Sequence, residues 1–241
     1  AGAGEGPPAL LPARTPDDVL RFWFRGAHPD KRHLLDDEAY ISQNLPRWML
    51  ATENIDAEAE AVATDLVRKL GREAFEDETE RSLWWGTKAG LVAQLLCLDQ
   101  LSRNCFRRRA EAFAYDAVAL RVARQILEGA GGDVEKLLDN HAAAECMFVL
   151  ISFQHSEDMD LHTTEFRIID ALSARYPSLE KIWESCRGHA GSHLEVLRRF
   201  GRYPHRNAQK GRESTEEELA WLADRDKLPV WARSQVCCGP P

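Results

Sequence analysis

No apolar run in this chain approaches the about 18 residues that a membrane-spanning helix needs, so no membrane partner is expected. No stretch alternates apolar and polar residues for long enough to predict a strand. The 6 cysteines include no CxxC pair, which argues against a structural zinc site or a redox dithiol. Absent too are a phosphate-cradling glycine loop, a dinucleotide fingerprint, a GxSxG elbow, an HExxH helix and an EF-hand ligand series. No organic cofactor is therefore expected. Positive charge is scarce: Lys and Arg total 31 against 39 Asp and Glu, a net charge of −8. A nucleic-acid binder is usually basic, so that class of partner is not expected either.

The chain does hold the material of a large core. Its 241 residues are 44% hydrophobic and include 7 tryptophans, which reads as globular. Apolar residues recur at helical spacing over 52–70, 80–98, 111–128, 140–153, 157–175, 178–200 and 215–223. Thr15-Pro16-Asp17-Asp18 starts a further helix, with a cap, a first-turn proline and acids on its positive end. The expected fold is all-α, with about 8–9 helices in stacked antiparallel pairs, a tetratricopeptide-like arrangement. Residues 1–14 read as a flexible tail, 15–224 as one helical domain and 225–241 as a tail-like extension. Cys97, Cys105, Cys146 and Cys186 fall within helical patterns, which suits reduced thiols in a cytoplasmic setting. The chain begins without methionine, which leaves upstream targeting open. Among the thiols, Cys105 has the most cationic neighbours, Arg103 and Arg107, and is the one candidate nucleophile.

Chemistry-bearing residues gather in three blocks. Asp99, Gln100, Arg103 and Asn104 close the most apolar helix, with Asp99 and Arg103 four apart on one face. His155, Glu157 and Asp158 follow a second apolar run, and Ser156 before the two acids suits a helix start. The stretch 200–218 carries Arg202, His205, Arg206 and Asn207. Gly201 is placed to close one helix there, and Ser214 with Glu217 forms a capping box for the next. His189 and His193 stand i, i+4, a spacing that offers two imidazoles to one divalent metal, with Glu157, Asp158 or His162 as a third ligand. Helices offer this spacing often, so a metal is the lesser reading and no metal site is assigned.

In this order and spacing, Leu98-Asp99-Gln100 with Arg103-Asn104, His155-Ser156-Glu157-Asp158, and Phe200-Gly201-Arg202-Tyr203-Pro204-His205-Arg206-Asn207 with Gly211-Arg212-Glu213-Ser214-Thr215 resemble domain-of-unknown-function family 924. The resemblance runs from about Asp17 to Ala223. It implies an all-α fold of stacked helix pairs and carries no agreed activity. His193 stands where the family commonly has a histidine. Leu101-Ser102 replaces the usual Phe-Pro, and His162 a usual glutamine.

The leading expectation is a polar pocket that binds or turns over a small anionic molecule by hydrolysis or proton transfer. Asp99, His155, Glu157, Asp158, His193 and His205 are its catalytic candidates. Gln100, Arg103, Asn104, Arg202, Arg206 and Asn207 would hold substrate, the arginines through two-pronged donation to a carboxylate or phosphate. In the alternative, the chain is a tetratricopeptide-like module that binds a protein partner, and the polar clusters are internal struts.

Overall fold

The two most apolar segments become the centre of the molecule. A computed structural model describes residues 11–50 and 52–233. In it the helices are α1 (Pro16–Phe24), α2 (Glu38–Met49), α3 (Glu53–Gly71), α4 (Glu78–Trp85), α5 (Lys88–Leu95), α6 (Ser102–Cys105), α7 (Asp116–Gly129), α8 (Val134–Asn140), α9 (Ala143–Gln154), α10 (Met159–Arg175), α11 (Glu180–Phe200), α12 (Glu216–Ala223) and α13 (Val230–Arg233). A π-helical turn, Leu96–Leu101, joins α5 to α6, so the three form one rod. Every residue of α9 is buried, so this helix has no solvent face.

The rod and α9 are walled by the remaining helices. α1 and α7 pack on α5, α3 packs on α6 and the π turn, and α10 lies between α9 and α11. Phe148 of α9 anchors the middle. The Trp23 and Trp48 rings meet it edge-on at centroid distances of 5.5 and 5.6 Å. Such edge-to-face pairs add about 0.5–1.5 kcal/mol beyond the area they bury. No helix among the described residues is long and apolar enough to cross a membrane.

All-helical is right, at 75% helix and no strand among the described residues, but the expected count and arrangement are not. Among the described residues there are 12 helices when the rod counts as one, rather than 8–9, and no tetratricopeptide-type repeat packing is seen. Short polar caps explain the count. The single helix expected over 80–98 is interrupted where the Gly86 amide bonds to the Ser82 carbonyl at 2.8 Å. A new start follows, in which Thr87 Oγ1 accepts from the Gly90 amide at 2.9 Å. Likewise Asp133 caps α8, accepting from the Glu135 amide at 2.9 Å. The arrangement fails for a different reason. In a repeat stack each unit touches only its neighbours, whereas here Asp36 accepts from the Ala143 amide at 2.7 Å and Arg32 pairs with the buried Glu145, both on α9. Helix lengths from 4 to 21 residues also deny a repeating unit.

Several local expectations meet their counterparts. Thr15 and Asp18 form a capping box. Gly201 closes α11 in the left-handed region at φ 69°, where a side chain would be strained. The α12 cap is one residue later than expected: Thr215, not Ser214, accepts from the Glu218 amide, and Glu218 accepts in return from the Thr215 amide at 2.8 Å. Ser214 instead accepts from Asn207 Nδ2 at 3.0 Å. Cys105 is buried and its thiol is pushed up to about 12 by that burial, which removes it as a nucleophile. Cys237 and Cys238 lie outside the described residues, as does most of the expected N-terminal tail.

Candidate functional site

Asp99 sits inside the π turn, where the Ser102 amide reaches back five residues to the Cys97 carbonyl. The extra residue rotates the face that follows by about 100°, one step of a 3.6-residue turn. Asp99 thereby points inward toward the end of α9 and is only 2% exposed. Its two oxygens lie 2.8 and 3.0 Å from Nδ1 of His155, the residue that ends α9. Gln100 Nε2 donates to the second oxygen at 2.6 Å. Arg103 adds a guanidinium 3.4 Å from the first and donates also to the Asp99 backbone carbonyl.

Two arginines from distant segments meet at one carboxylate. Asp116, at the start of α7, accepts from Arg103 at 3.1 Å and from Arg206 at 3.0 Å. The Phe113 ring lies beneath both guanidiniums, 5.7 and 5.1 Å from its centroid. Arg206 also donates to the His155 backbone carbonyl at 2.8 Å. Beside them Arg212 grips Glu157 with two bonds of 2.7 and 2.9 Å, and Glu157 accepts from the Tyr203 amide at 3.0 Å.

A cleft of about 170 Å³ opens here. Asp99, Asp116, Ser152, His155, Glu157 and Lys210 supply its polar lining, and Ala117 and Leu120 its apolar side. His155 Nδ1 faces Asp99, while Nε2 has no hydrogen bond from the described residues. The Lys210 ammonium makes no hydrogen bond or close ion pair among the described residues, although the charges of Asp116 and Glu157 act on it. The charges around the cleft do not balance: Arg103, Arg206, Arg212 and Lys210 face Asp99, Asp116 and Glu157.

Burial would raise the Asp99 carboxyl, but His155 and Arg103 outweigh it and hold the group well below the usual carboxylate range. Burial, followed by the Arg103 charge, lowers the His155 imidazole below 6.5 against the pull of Asp99. The dyad at neutral pH is therefore a carboxylate and a neutral ring that donates Nδ1–H and keeps a lone pair on Nε2. Burial and then the Arg206 charge lower Lys210 as well.

The remaining candidates are placed elsewhere. Asn104 donates to Asp56 at 2.9 Å, where Arg107 also bonds, and the cluster clamps the rod to α3. Arg202 is held by both oxygens of Glu218, at 2.7 and 2.8 Å. Asn207 joins the same carboxylate at 3.1 Å. Asp158 caps α10, accepting from the Asp160 amide at 3.1 Å, with Arg124 3.6 Å away. His193 lies behind His155, with ring centroids 6.3 Å apart, and its Nδ1 lies 2.9 Å from Gln154 Nε2. The His205 ring packs edge-on against Phe113 at 6.1 Å. His189 contributes its backbone carbonyl to His193 Nδ1 at 2.9 Å. His162 pairs with the buried Glu165 at 2.8 Å. Among the described residues no group of three or more His, Cys, Asp or Glu is placed to hold a metal ion.

Asp116, Lys210 and Ser152 are cleft residues that the sequence did not single out. An acid in the first turn of a helix reads as a dipole partner, which conceals Asp116. Nothing in the residues around Lys210 marks it.

A model of bacterial proteins of unknown function (DUF924) matches residues 19–226. The chain belongs to that family. The DUF924 match takes in both members of the Asp99–His155 pair, Asp116 and Lys210, and ends before α13. A solved structure of a protein of unknown function from Agrobacterium tumefaciens is similar at 25% identity, over 86% of this chain and 96% of that one, with a TM-score of 0.59. No curated protein matches the chain.

Proposed function

We propose that this protein binds a small anionic molecule in the cleft and acts on it by general acid–base chemistry, hydrolysis or proton transfer, at His155. The observation that carries this reading is the Asp99–His155 contact at 2.8 Å beside an open cleft. Asp99 fixes the ring and its tautomer, so the lone pair on Nε2 is the one available for a proton. A ring held neutral at physiological pH is already in its basic form. Glu157 and Asp158 are not the groups that orient the ring, since Glu157 is occupied by Arg212 and Asp158 by its cap.

The anion preference rests on Lys210. Arg103, Arg202, Arg206 and Arg212 all have carboxylate partners, which supports a structural role for them as struts. Lys210 is the cleft cation with no carboxylate at ion-pair distance among the described residues, and a compact ammonium suits a carboxylate or phosphate group. Ligand pockets for drug-sized molecules run to about 300–1,000 Å³. At about 170 Å³ the cleft suits something shorter, with a small apolar part against Ala117 and Leu120.

The test is turnover of a panel of short carboxylate and phosphate esters and amides by the wild type, His155→Ala and Asp99→Asn. The expected result is a roughly 10²–10⁴-fold loss of kcat in His155→Ala, with KM little changed. Turnover by the wild type that survives His155→Ala would remove His155 from the chemistry.

A further inference from the structure

α13 is a single turn, and a helix of 4 residues has no stability of its own. It is held by what lies beneath it. The Trp231 indole lies flat on the His193 ring, with centroids 3.7 Å apart and planes 19° from parallel. Tyr203 and His205 meet the indole edge-on, at 5.7 and 5.2 Å. The indole N–H donates to Ser192 Oγ at 3.2 Å. One ring forms a floor, two form walls, and a hydroxyl receives a donor.

The floor is not what a permanently covered core would use. His193 and His205 are each 4% exposed. His193 Nδ1 meets Gln154 Nε2 at 2.9 Å, and the Gln154 backbone carbonyl accepts from Tyr203 Oη at 2.7 Å. Among the described residues His205 Nδ1 is buried without a hydrogen-bond partner. Leaving such an atom unpaired is destabilising, which an apolar side chain of similar shape would avoid. The His205 ring therefore adds an unsatisfied nitrogen beside the stacking platform.

We propose that the slot framed by His193, Tyr203 and His205 is a binding site for a flat aromatic ring bearing an N–H or O–H donor, occupied in cis by Trp231 and vacated by local opening of α13. The turn before α13, in which the Lys227 and Leu228 amides both bond to the Asp224 carbonyl at 3.1 Å, is the hinge. Opening would break the contacts of Trp231 and of the neighbouring buried Leu228 and Ala232 while leaving the main core packed, a local event of the kind that precedes global unfolding.

The experiment uses full-length protein and indole as the probe. Trp231→Ala leaves an indole-shaped hole, and free indole should bind it saturably and raise its Tm by a few degrees. The wild type, whose slot is filled, should show no such rise. Equal shifts in the two proteins, or none in the variant, overturn the proposal. Should Trp231→Ala fail to fold, hydrogen exchange of the wild type decides. Amides of 228–233 should exchange at least tenfold faster than those of 193–197, and faster still with excess indole. Exchange that is uniform across both segments, or unmoved by indole, overturns the proposal. A dimer that grows with concentration and is lost in Trp231→Ala would place the ring of a second copy in the slot and overturn the cis assignment.

Discussion

Arg206 donates to the backbone carbonyl of His155 at 2.8 Å, so the loop after α11 grips the residue that ends α9. The same guanidinium is neutralised by Asp116, which also takes Arg103. Asp116 is thus shared by two buried arginines, of which Arg103 also has Asp99 and Arg206 has no second close carboxylate among the described residues. Replacing it leaves them facing each other in a low-dielectric setting. Asp116→Asn should therefore destabilise the fold by about 3 kcal/mol or more, the usual cost of stranding a buried charge. Chemical denaturation checks this. A loss under 1 kcal/mol would show that water screens the two guanidiniums.

His155 itself should report its neighbours through its titration. Burial and Arg103 push its pKa down and Asp99 pulls it up. Asp99→Asn removes the upward pull, so His155 should titrate lower than in the wild type. Arg103→Gln removes a downward push, so it should titrate higher. Imidazole NMR shifts followed against pH give both signs. Movement of the two variants in the same direction would contradict the arrangement of charges.

Acid should destabilise the protein in two stages. In the folded state His155, His193 and His205 are all held below 6.5, chiefly by burial. The unfolded chain then binds more protons once the pH falls below about 6.5, so stability declines from there downward. Asp99 and Glu157 are depressed from 3.8 and 4.5, so their contribution is intact above those values and is lost on further acidification. Denaturation midpoints measured from pH 8 to pH 3 should show a first decline near 6.5 and a second below about 4.5. A flat profile down to pH 5 would mean that the histidines ionise freely within the fold.

Much of this was legible in the residues, and the illegible part has definite causes. Asp99 and Arg103 at i, i+4 after an apolar helix could be read as a buried pair, and they are one. A helix start after His155 could be read from Ser156 and the acids that follow, but the cap of α10 is Asp158 rather than Ser156, whose hydroxyl accepts from the Asp158 amide at 3.1 Å. What aims Asp99 at His155 is the π turn, which has no sequence signature at this level. The carboxylate that orients the ring is therefore Asp99 in the rod, and not Glu157 or Asp158, which stand beside His155 in the chain. The helix count failed at Thr87 and Asp133 because single capping side chains split or start helices that periodicity alone runs together or passes over. The cap of α12 slipped by one because Ser214 and Thr215 each stand three residues before a glutamate, and geometry selects the second.

That slip gives a small, clean test of the local structure. Thr215→Ala removes the side chain that accepts from the Glu218 amide and should cost about 1 kcal/mol. Ser214→Ala removes only an acceptor for Asn207, whose Nδ2 keeps Glu218. Its cost should be smaller. Denaturant melts of the two variants should rank them in that order, and the reverse order would return the cap to Ser214.

The last prediction concerns the unpaired cation. The protein is acidic overall, with a net charge of −8, so anions should be repelled from most of its surface. The cleft is the exception, because its arginines are paired with carboxylates whereas Lys210 has none at ion-pair distance among the described residues. Phosphate or citrate should then raise Tm beyond a sodium chloride control of equal ionic strength, by mass action on the folded state. Lys210→Ala should abolish that increment. Arg202→Ala should keep it, since Arg202 is bound to Glu218 outside the cleft lining. Loss of the increment in Arg202→Ala with retention in Lys210→Ala would move the anion to the loop after α11. An increment shared by both variants and the wild type would mean that the anion acts on the surface at large, and the cleft would lose its claim to an anionic ligand.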